Sequence, residues 1–486
     1  MRKKSSVSTT GPKKRTTAVG VRSSFADLGQ VGFDLSHAFW VEKVVFVMVG
    51  LPARGKSYIS NTIVNFLCWQ GFKARLFNVG KNRRAKLEDS SAASFFDSEN
   101  VEAKKQRDLV ALQTLEELLD WMIDEDGDVA IFDATNSTKA RRDAVLNACK
   151  KRYEHVNVVF VESICTDPKV VLSNMAQKVK NSPDFAKVPF DEAMADLKKR
   201  IGFYESKYET IADEELSYMQ LINLQSKVIC NRVRGFLAHT VASFLMSSIL
   251  ADRPIYLARS GKAERVTGSQ VLNEDNADAF GDLTEDGKRF AENLRKFLDK
   301  DLHPKFKLSQ LVVYTSLMNR AIQMGLPFNE HIVRLPRALG CLNPLDLGFS
   351  PGRYVDELKE QLKAEMPEEL ERWEEDPFRY KYPGGESQYD CTQRLAPFVK
   401  ELERHRSPVL VISHLSCLQV LYGYFVRCPV NEFLSLDIPH HFLIKLTPSQ
   451  YGWKEERIFI GASTDSMSAG SREHKVSSKT HADSFY

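Results

Sequence analysis

A strand-length apolar run leads directly into a glycine-rich loop near the start of the chain. Residues 43–50 read KVVFVMVG, and residues 50–57 read GLPARGKS, which matches the pattern G-x-x-x-x-G-K-S. An unbroken apolar run of this length is typical of a strand buried on both faces of a parallel sheet. A helical pattern follows at residues 57–69. This strand, loop and helix order is the context that a phosphate-binding loop requires, and it predicts an α/β fold.

The loop residues are suited to holding a nucleotide and its metal. Glycines let backbone N–H groups surround phosphates, the helix N-terminus adds partial positive charge, Lys56 reaches the β- and γ-oxygens, and Ser57 ligates Mg²⁺. The alternative is a glycine turn of purely structural use. The predicted nucleotide-binding residues are Gly50, Leu51, Pro52, Ala53, Arg54, Gly55, Lys56 and Ser57.

Strand and helix patterns alternate along the rest of the chain, as in a doubly wound, mainly parallel sheet. In the first half, strands are predicted at residues 74–79, 129–132 and 156–161. The pattern restarts after a helical stretch at residues 233–250, with strands predicted at 255–258, 311–314 and 409–412. We therefore predict two α/β domains with a boundary near residues 248–254.

Composition fits a two-domain globular protein and excludes several classes. The chain has 486 residues, 43% of them hydrophobic and 27% charged, which suits two domains with tails. Neither a membrane-spanning run nor a signal-peptide core is present, so we expect a cytoplasmic protein with no membrane partner. The eight cysteines are scattered singly, which predicts reduced thiols. A net charge of +3 gives no reason to expect nucleic acid as a partner.

The two ends of the chain are polar. Residues 1–24 carry basic clusters among serines and threonines and no acidic residue, and residues 463–486 are again rich in polar residues. We interpret both as disordered tails. Ser5, Ser6, Thr16 and Thr17 lie beside the basic clusters, where a basophilic protein kinase would act. The plainer alternative is a solvated tail with no such partner.

An acidic residue follows the predicted strand at 129–132. Asp133 stands where a Walker-B carboxylate would hold the metal or its water. A lone Asp after a strand is more often a helix cap, so the hypothesis depends on the upstream loop. Basic residues occur further along the half, and a phosphorylated second substrate would need such groups to hold its anion. They include Arg83, Arg84, Lys104, Arg141, Arg142, Lys180 and Arg200.

Several runs together resemble one family. The first half contains VMVGLPARGKSYIS, FNVG followed by Arg83 and Arg84, VAIFDATNSTKARR, FVESICTDP, SPDF and KRIGFYE. The likeness continues through LSYM and NRV into the second half, which contains KYPGGES, QRLAPFVKELE, VLVISH and LIKLTPSQYG. Over residues 42–455 the chain resembles the 6-phosphofructo-2-kinase/fructose-2,6-bisphosphatase family, as a fungal-type member with a degenerate bisphosphatase site. The resemblance implies a P-loop kinase domain followed by a histidine-phosphatase (phosphoglycerate-mutase-like) α/β domain.

The resemblance also implies roles for residues of the first half. ATP would lie on the glycine loop and beside Asn174, with Mg²⁺ held by Ser57 and Asp133. Lys56, Asp133, Lys180 and Cys165 would be catalytic, although Cys165 also fits a small buried hydrophobe. Lys81, Asn82 and Lys104 depart from the family pattern, which would weaken sugar-phosphate binding. Fructose 6-phosphate would be held by Arg83, Arg84, Lys104, Thr135, Arg141, Lys180, Arg200 and Tyr204.

The second half lacks residues that the phosphatase family uses. The segment after the strand at 255–258 reads Arg259-Ser260-Gly261, where the family has Arg-His-Gly. A serine with no adjacent base is a weak nucleophile, whereas a neutral imidazole attacks phosphorus directly. Pro344 stands in place of the family's glutamate, and proline cannot donate a proton to the leaving group. The degenerate phosphatase site comprises Arg259, Ser260, Arg320, Pro344 and His414.

The residues and the resemblance together predict a 6-phosphofructo-2-kinase with absent or very weak bisphosphatase activity. It would use ATP and Mg²⁺ to make fructose 2,6-bisphosphate from fructose 6-phosphate. The alternatives are a bifunctional enzyme in which His414 replaces the missing histidine, and a sugar-phosphate sensor or scaffold. The family suggests a homodimer. The predicted division is an arm at 1–40, a kinase domain at 41–250, a phosphatase-like domain at 251–460 and a tail at 461–486.

Overall fold

The structure is a computed structural model, and it describes residues 42–87, 92–97, 99–223, 226–248, 251–264, 281–348, 363–364, 366–449 and 452–461. The predicted arm at residues 1–40 lies outside the described residues, as does the predicted tail from residue 462 onward. Two six-stranded sheets follow one another along the chain. None of the described helices is long and apolar enough to cross a membrane.

The first sheet has the strand order β2-β3-β1-β4-β5-β6, and only β6 is antiparallel to its neighbour. Its strands are β1 (Val44–Val49), β2 (Ala74–Asn78), β3 (Val129–Asp133), β4 (Asn157–Ile164), β5 (Tyr218–Ile222) and β6 (Lys227–Asn231). The helices of this half are α1 (Lys56–Trp69), α2 (Val79–Lys86), α3 (Val101–Asp124), α4 (Lys139–Arg152), α5 (Pro168–Asn181), α6 (Phe190–Glu205) and α7 (Phe236–Ser247).

The second sheet has the order β12-β11-β7-β10-β8-β9, with β11 and β12 antiparallel. Its strands are β7 (Ile255–Arg259), β8 (Val312–Thr315), β9 (Arg337–Ala338), β10 (Val409–Ser413), β11 (Phe442–Ser449) and β12 (Gly452–Phe459). The helices are α8 (Glu285–Asp301), α9 (Asn319–Gly325), α10 (Pro367–Glu375), α11 (Gln388–Arg404) and α12 (Leu415–Val426).

Strand β1 shows why the first half folds as a doubly wound sheet. All six of its residues are buried, and alternate side chains enter different cores. Val45, Val47 and Val49 pack with α3 and α4, whereas Val44, Phe46 and Met48 pack with α1 and α7. Burial of one such side chain stabilises the fold by about 1.5–3 kcal/mol. The sheet is therefore covered by helices on both faces, as the continuous apolar run predicts.

Several predicted element boundaries differ from the structure, and two of the differences have a direct structural cause. The strand predicted at residues 74–79 ends at Asn78, because the Asn78 side chain caps α2 and Val79 already begins that helix. The strand predicted at 156–161 runs from Asn157 to Ile164, because it pairs with β5 as far as the Ile164–Ile222 position. Both changes bring polar residues to the carboxyl end of the sheet.

The two halves share a core across the helices α1 and α12. Phe66 and Trp69 of α1, with Phe244 of α7, belong to the same buried cluster as Val420 and Tyr424 of α12. The Phe66 and Phe244 rings stack with centroids 4.0 Å apart. The Trp69 indole donates to the Val420 carbonyl at 2.8 Å, and the Asn65 amide donates to the Tyr424 carbonyl at 3.1 Å. Close packing and hydrogen bonding therefore continue from one half into the other.

Candidate functional site

A cavity of about 550 Å³ lies at the carboxyl ends of the first three strands. The glycine loop that follows β1, the end of β2 and the end of β3 contribute to its lining, together with side chains of α2, α5 and α6. Parallel strands β2, β3 and β1 are neighbours, so the residues that follow them meet at one edge of the sheet. This edge is where ligands bind in open α/β sheets.

The loop between β1 and α1 has the backbone of a phosphate-binding loop. Gly50 and Gly55 have φ angles of 138° and 88°, which L side chains rarely adopt. A Cβ at Gly50 would lie 2.6 Å from the Ser163 carbonyl oxygen, so only glycine allows β4 to approach the loop. The Ser163 hydroxyl in turn donates to the Arg54 carbonyl. Strand β4 thus holds the loop in place.

Lys56 begins α1 and is buried inside the cavity. Its Nζ donates to the Leu51 carbonyl of the same loop at 2.7 Å. Burial lowers the pKa of Lys56 to about 7, although Asp133 acts in the opposite direction, and Lys178 and Arg54 lower the pKa further. An anion entering the loop would compensate this desolvation and favour the charged amine. The geometry therefore fits a lysine that binds phosphate oxygens.

Asp133 is the carboxylate at the end of β3, and two neighbouring side chains donate to it. Its Oδ2 accepts from the Ser57 hydroxyl at 2.9 Å and from the Asn78 amide at 2.7 Å. Among the described residues, no cluster of three His, Cys, Asp or Glu side chains could hold a metal alone. Mg²⁺ commonly takes one carboxylate and completes its shell with water and substrate phosphates. The Ser57 and Asp133 oxygens fit that mode.

A buried carboxylate organises the arginines at the other side of the cavity. Asp184 Oδ2 lies 2.6 Å from Arg83 and 3.0 Å from Arg200, and Asp184 Oδ1 lies 3.8 Å from Arg84. Burial of Asp184 would raise its pKa, but the combined effect of the three guanidinium groups holds the pKa below its usual value. The Phe96 ring lies under Arg83 and Arg200, at 4.9 and 4.6 Å. Arg200 also pairs with Asp196 at 2.6 Å, so three guanidinium groups and two carboxylates leave a net positive charge at this side of the cavity.

Helix α5 contributes a different lysine from the one predicted. Asn174, Gln177 and Lys178 line the cavity at helical spacing, and the Asn174 amide donates to the Ala53 carbonyl at 3.2 Å. Lys178 is open to the cavity but surrounded by protein, so desolvation lowers its pKa, partly offset by Asp133 and Asp184. Lys180, predicted as catalytic and substrate-binding, is not among the lining residues. Two residues along a helix turn by about 200°, which separates Lys180 from Lys178.

The other predicted residues divide into two groups. Tyr204 lines the cavity and exchanges a hydrogen bond with Thr135, and Arg141 lies 3.4 Å from Asp108. Asn82, named as a departure from the family, donates to Thr114 and Glu117 of α3. The predicted residues that line the cavity are Pro52, Ala53, Gly55, Lys56, Ser57, Arg83, Arg84, Lys104, Asp133, Thr135, Arg141, Asn174, Arg200 and Tyr204. Those outside its lining are Gly50, Leu51, Arg54, Cys165 and Lys180.

Cys165 was predicted as catalytic, with a small buried hydrophobe as the alternative. It follows directly after β4, is buried, and is a free thiol outside the cavity lining. The structure thus places it where the alternative requires. Sequence reasoning missed Asn78, Lys178 and Asp184, which lie in the cavity. Two of them stand in the runs FNVG and SPDF that carry the resemblance, and the helical spacing from Asn174 could have found the third.

The residues of the predicted phosphatase site converge at the carboxyl end of the second sheet. His414 follows β10, and its Nε2 lies 2.7 Å from the Ser316 hydroxyl while its Nδ1 lies 3.2 Å from Arg320. Because Arg320 is a donor only, Nδ1 is the acceptor and Nε2 carries the proton. Burial, and then Arg320 and Arg259, hold the pKa of His414 well below its usual value. His414 is therefore neutral.

Ser260 and Pro344 stand at the same end. The Ser260 hydroxyl is 3.4 Å from His414 Nδ1, and the Ser260 backbone N–H donates to the Ser413 carbonyl at 2.8 Å. Arg259 donates to the Ile438 carbonyl at 2.9 Å. The Pro344 carbonyl accepts from Arg394 at 3.1 Å. At this end the polar side chains are satisfied largely by one another and by backbone carbonyls.

Comparisons with known proteins agree with this architecture. The 6-phosphofructo-2-kinase family matches residues 34–252, and branch 1 of the histidine phosphatase superfamily matches residues 255–460. These matches confirm the predicted order of a P-loop kinase domain and a histidine-phosphatase domain. The two family matches meet between residues 252 and 255, immediately before β7.

Three curated relatives span both halves. The human 6-phosphofructo-2-kinase/fructose-2,6-bisphosphatase 3 is 36% identical over 86% of this chain and 76% of its own length. A 6-phosphofructo-2-kinase/fructose-2,6-bisphosphatase of Aquarana catesbeiana is 35% identical over 86% of this chain and 84% of its own length. The 6-phosphofructo-2-kinase 1 of Saccharomyces cerevisiae is 35% identical over 84% of this chain and 51% of its own length.

Proposed function

The chain belongs to the 6-phosphofructo-2-kinase/fructose-2,6-bisphosphatase family, and from that premise we propose that it is a cytoplasmic 6-phosphofructo-2-kinase. It transfers the γ-phosphoryl group of ATP to the 2-hydroxyl of fructose 6-phosphate and releases ADP and fructose 2,6-bisphosphate. One observation carries the proposal. A single cavity joins a phosphate-binding loop with Lys56 to a cluster of three arginines on Asp184.

The two sides of the cavity divide the work. The loop and Lys56 bind the nucleotide phosphates, and Asn174 borders the nucleotide. Arg83, Arg84 and Arg200 bind the 6-phosphate, with Thr135 and Tyr204 beside the sugar. Phosphoryl transfer passes through a loose transition state, so these residues act by positioning and by stabilising charge.

Ser57 and Asp133 would hold Mg²⁺, which supplies charge neutralisation at the β- and γ-phosphates when bound. Lys178 lines the same cavity, and the charges of both Asp133 and Asp184 act on its amine. We assign to Lys178 the stabilising role that the sequence suggested for Lys180. The pKa of Lys178 is lowered by desolvation, so a bound phosphate group would raise it again and favour the protonated amine.

We further propose that bisphosphatase activity is absent or very weak. Ser260 stands at the nucleophile position, and its potential base is already an acceptor for Arg320. Pro344 provides no acid. The alternative of a bifunctional enzyme rests on the 3.4 Å approach of the Ser260 hydroxyl to the neutral His414. We also extend to this chain the family's homodimer, and propose protein kinases as partners of the tails.

The test is formation of fructose 2,6-bisphosphate from Mg·ATP and fructose 6-phosphate by the purified protein, with Lys56→Ala as the control. Product that accumulates to the limit of the substrate supply, and is absent in the control, supports the kinase with a silent second half. Phosphate release from added fructose 2,6-bisphosphate that disappears in His414→Ala would favour the bifunctional alternative. Measurable ATP binding without any product would favour a sensor or scaffold.

A further inference from the structure

One amide side chain contacts both sides of the cavity. Asn78 is the last residue of β2, and its partner in the strand register is Asp133, the last residue of β3. Its Nδ2 donates to Asp133 Oδ2 at 2.7 Å, and its Oδ1 accepts from the Lys81 backbone N–H at 2.8 Å. The second contact caps α2 at the third residue of the helix.

The two contacts fix the orientation of the amide. If oxygen and nitrogen were exchanged, the amide N–H₂ would face the Lys81 N–H and the oxygen would face the Asp133 carboxylate. Both pairs would repel, so only one orientation satisfies the two neighbours. A Cβ at residue 80 would lie 3.1 Å from Asn78 Oδ1, which shows how closely the first turn of α2 wraps this side chain.

Helix α2 carries two of the arginines that face the cavity. Arg83 and Arg84 lie in its last turn, and both contact Asp184. Asn78 therefore links the carboxylate of the nucleotide side to the helix that presents the arginines of the sugar-phosphate side. The other donor to Asp133 Oδ2, Ser57, is also the proposed Mg²⁺ ligand. Unlike Ser57, Asn78 is not itself a proposed ligand of the metal.

We propose that Asn78 is a positioning residue for phosphoryl transfer, which sets the placement of Asp133 relative to helix α2. The inference rests on the proposed kinase function and deepens it. Asn78 acts through Asp133 and α2, without a direct role toward the reacting atoms. Misplacement of reacting groups by about 1 Å costs on the order of 100-fold in rate, so a single lost hydrogen bond here has a large effect.

Three variants separate the two contacts. Asn78→Ser and Asn78→Asp each keep an acceptor that can cap α2, but neither can donate to Asp133 as the amide does. Asn78→Ala loses both contacts. We expect Asn78→Ser and Asn78→Asp to lower kcat by about 100-fold while the KM for fructose 6-phosphate changes less than about threefold. Asn78→Ala should lower kcat similarly and also raise that KM, because α2 loses its cap.

A second readout does not depend on turnover. The affinity for ATP is measured by calorimetry with Mg²⁺ and again with EDTA, for the wild type and for Asn78→Ser. The variant should bind ATP equally well in EDTA but gain less affinity from Mg²⁺ than the wild type gains. Thr284→Ala is the control for helix-cap loss, because Thr284 caps α8 in the second half. It should lower the melting temperature without changing either kinetic constant.

Two results would overturn the inference. One is a kcat of Asn78→Ser within threefold of the wild type, together with an equal gain of ATP affinity from Mg²⁺. The other is a loss of kcat that simply follows the fall in melting temperature across all four variants. If the wild type forms no fructose 2,6-bisphosphate, the proposed function fails by itself. The Mg²⁺-dependent ATP affinity then still decides whether Asn78 positions Asp133.

Discussion

The carboxyl ends of the two sheets have the same architecture, but the side chains there are arranged differently. In each half a buried parallel strand is followed by residues that lead into a helix, at Gly50–Gly55 before α1 and at His414 before α12. In the first half the polar side chains surround a cavity of about 550 Å³. In the second half His414 contacts Ser260, Ser316 and Arg320.

The difference shows what an α/β edge provides and what it leaves to individual residues. The edge provides convergence, because parallel strands bring their following residues together. The chemistry depends on which residues stand there: in the first half Lys56 and the oxygens of Ser57 and Asp133 line a cavity with space for a ligand. In the second half Ser260 and Pro344 stand where the family resemblance implies a nucleophile and an acid. The same fold can therefore carry different residues at its strand ends, and our proposal of a silent second half depends on those two identities.

The largest expected effect follows from removing the carboxylate of Asp133 at the carboxyl end of the first sheet. Asp133→Asn should lower the kcat for fructose 2,6-bisphosphate formation by about 10³-fold, because the carboxylate charge at the proposed metal site is lost. Asp128→Asn is a matched control at the opposite end of β3, where Asp128 accepts from the Lys73 backbone N–H at 2.8 Å. It should retain activity. Equal losses in the two variants would contradict the assignment of Asp133.

The next test introduces the residues that the family resemblance implies at positions 260 and 344 of the second half. Ser260→His should restore little hydrolysis of fructose 2,6-bisphosphate, because Pro344 still provides no proton for the leaving group. A positioned acid contributes about 10²–10⁴-fold, so Ser260→His with Pro344→Glu should release phosphate at least about 100-fold faster than Ser260→His alone. Phosphate release is measured with Lys56→Ala added to silence the kinase. Rapid turnover by Ser260→His alone would show that the missing acid is unimportant.

The arginine cluster of the first half gives a smaller effect on substrate affinity. Asp184→Asn should raise the KM for fructose 6-phosphate by about 10- to 100-fold, because Arg83 loses the charge that orients it and Arg200 keeps only its pair with Asp196. The KM for ATP should change much less. Asp301→Asn is the control, since Asp301 pairs with Lys445 at 2.9 Å in the second half. A loss of stability in both variants with no change in KM would assign Asp184 a structural role only.

The smallest effect concerns acid stability of the second half. Burial, Arg259 and His441 lower the pKa of His440 to about 4, and burial with Arg320 and Arg259 lowers the pKa of His414. The unfolded chain protonates these imidazoles below about pH 6.5 while the folded chain does not, so stability is complete above that pH and falls below it.

For His440 the loss runs from about pH 6.5 to about pH 4. A histidine of this kind contributes at most about 1.4 kcal/mol of unfolding free energy per pH unit, and solvent screening keeps the contribution of the exposed His440 below that limit. Urea unfolding at several pH values should show a shallower acid loss in His440→Gln than in the wild type. His239→Gln is the control, because His239 is likewise an exposed histidine but lies on α7 in the first half. An unchanged slope in His440→Gln would mean that the imidazole is protonated in the folded state.

The sequence predicts those residues of the first site that form a local pattern along the chain. It misses those that reach the cavity only because distant segments come together in the fold. The loop Gly50–Ser57 and Asp133 follow buried strands, so a pattern read along the chain finds them. Lys178 was missed because the sequence pattern alone does not fix the phase of α5, and Lys180 was chosen instead. Asp184 pairs with arginines about 100 positions upstream, at Arg83 and Arg84, and a one-dimensional pattern does not show which cations a carboxylate will meet.

In the second half the sequence shows which residues depart from the family pattern, but it does not show how their side chains contact one another. Ser260 and Pro344 stand out because neighbouring residues match a family that uses other residues there. The tautomer of His414 depends on Ser316 and Arg320, which reach it from β8 and α9. A tautomer is set by the partners of both ring nitrogens, so it follows only from the three-dimensional structure.

The core shared by α1 and α12 has a consequence for how this chain can change over time. The helix that begins at Lys56 rests on the helix that follows His414, through Phe66, Trp69 and Tyr424. Deleting the second half would leave the aromatic flank of the nucleotide-binding helix facing water. A substitution at Ser260 leaves these contacts in place, whereas loss of the half would remove them. The second half therefore supports the nucleotide-binding helix by packing, independently of any reaction at its own strand ends.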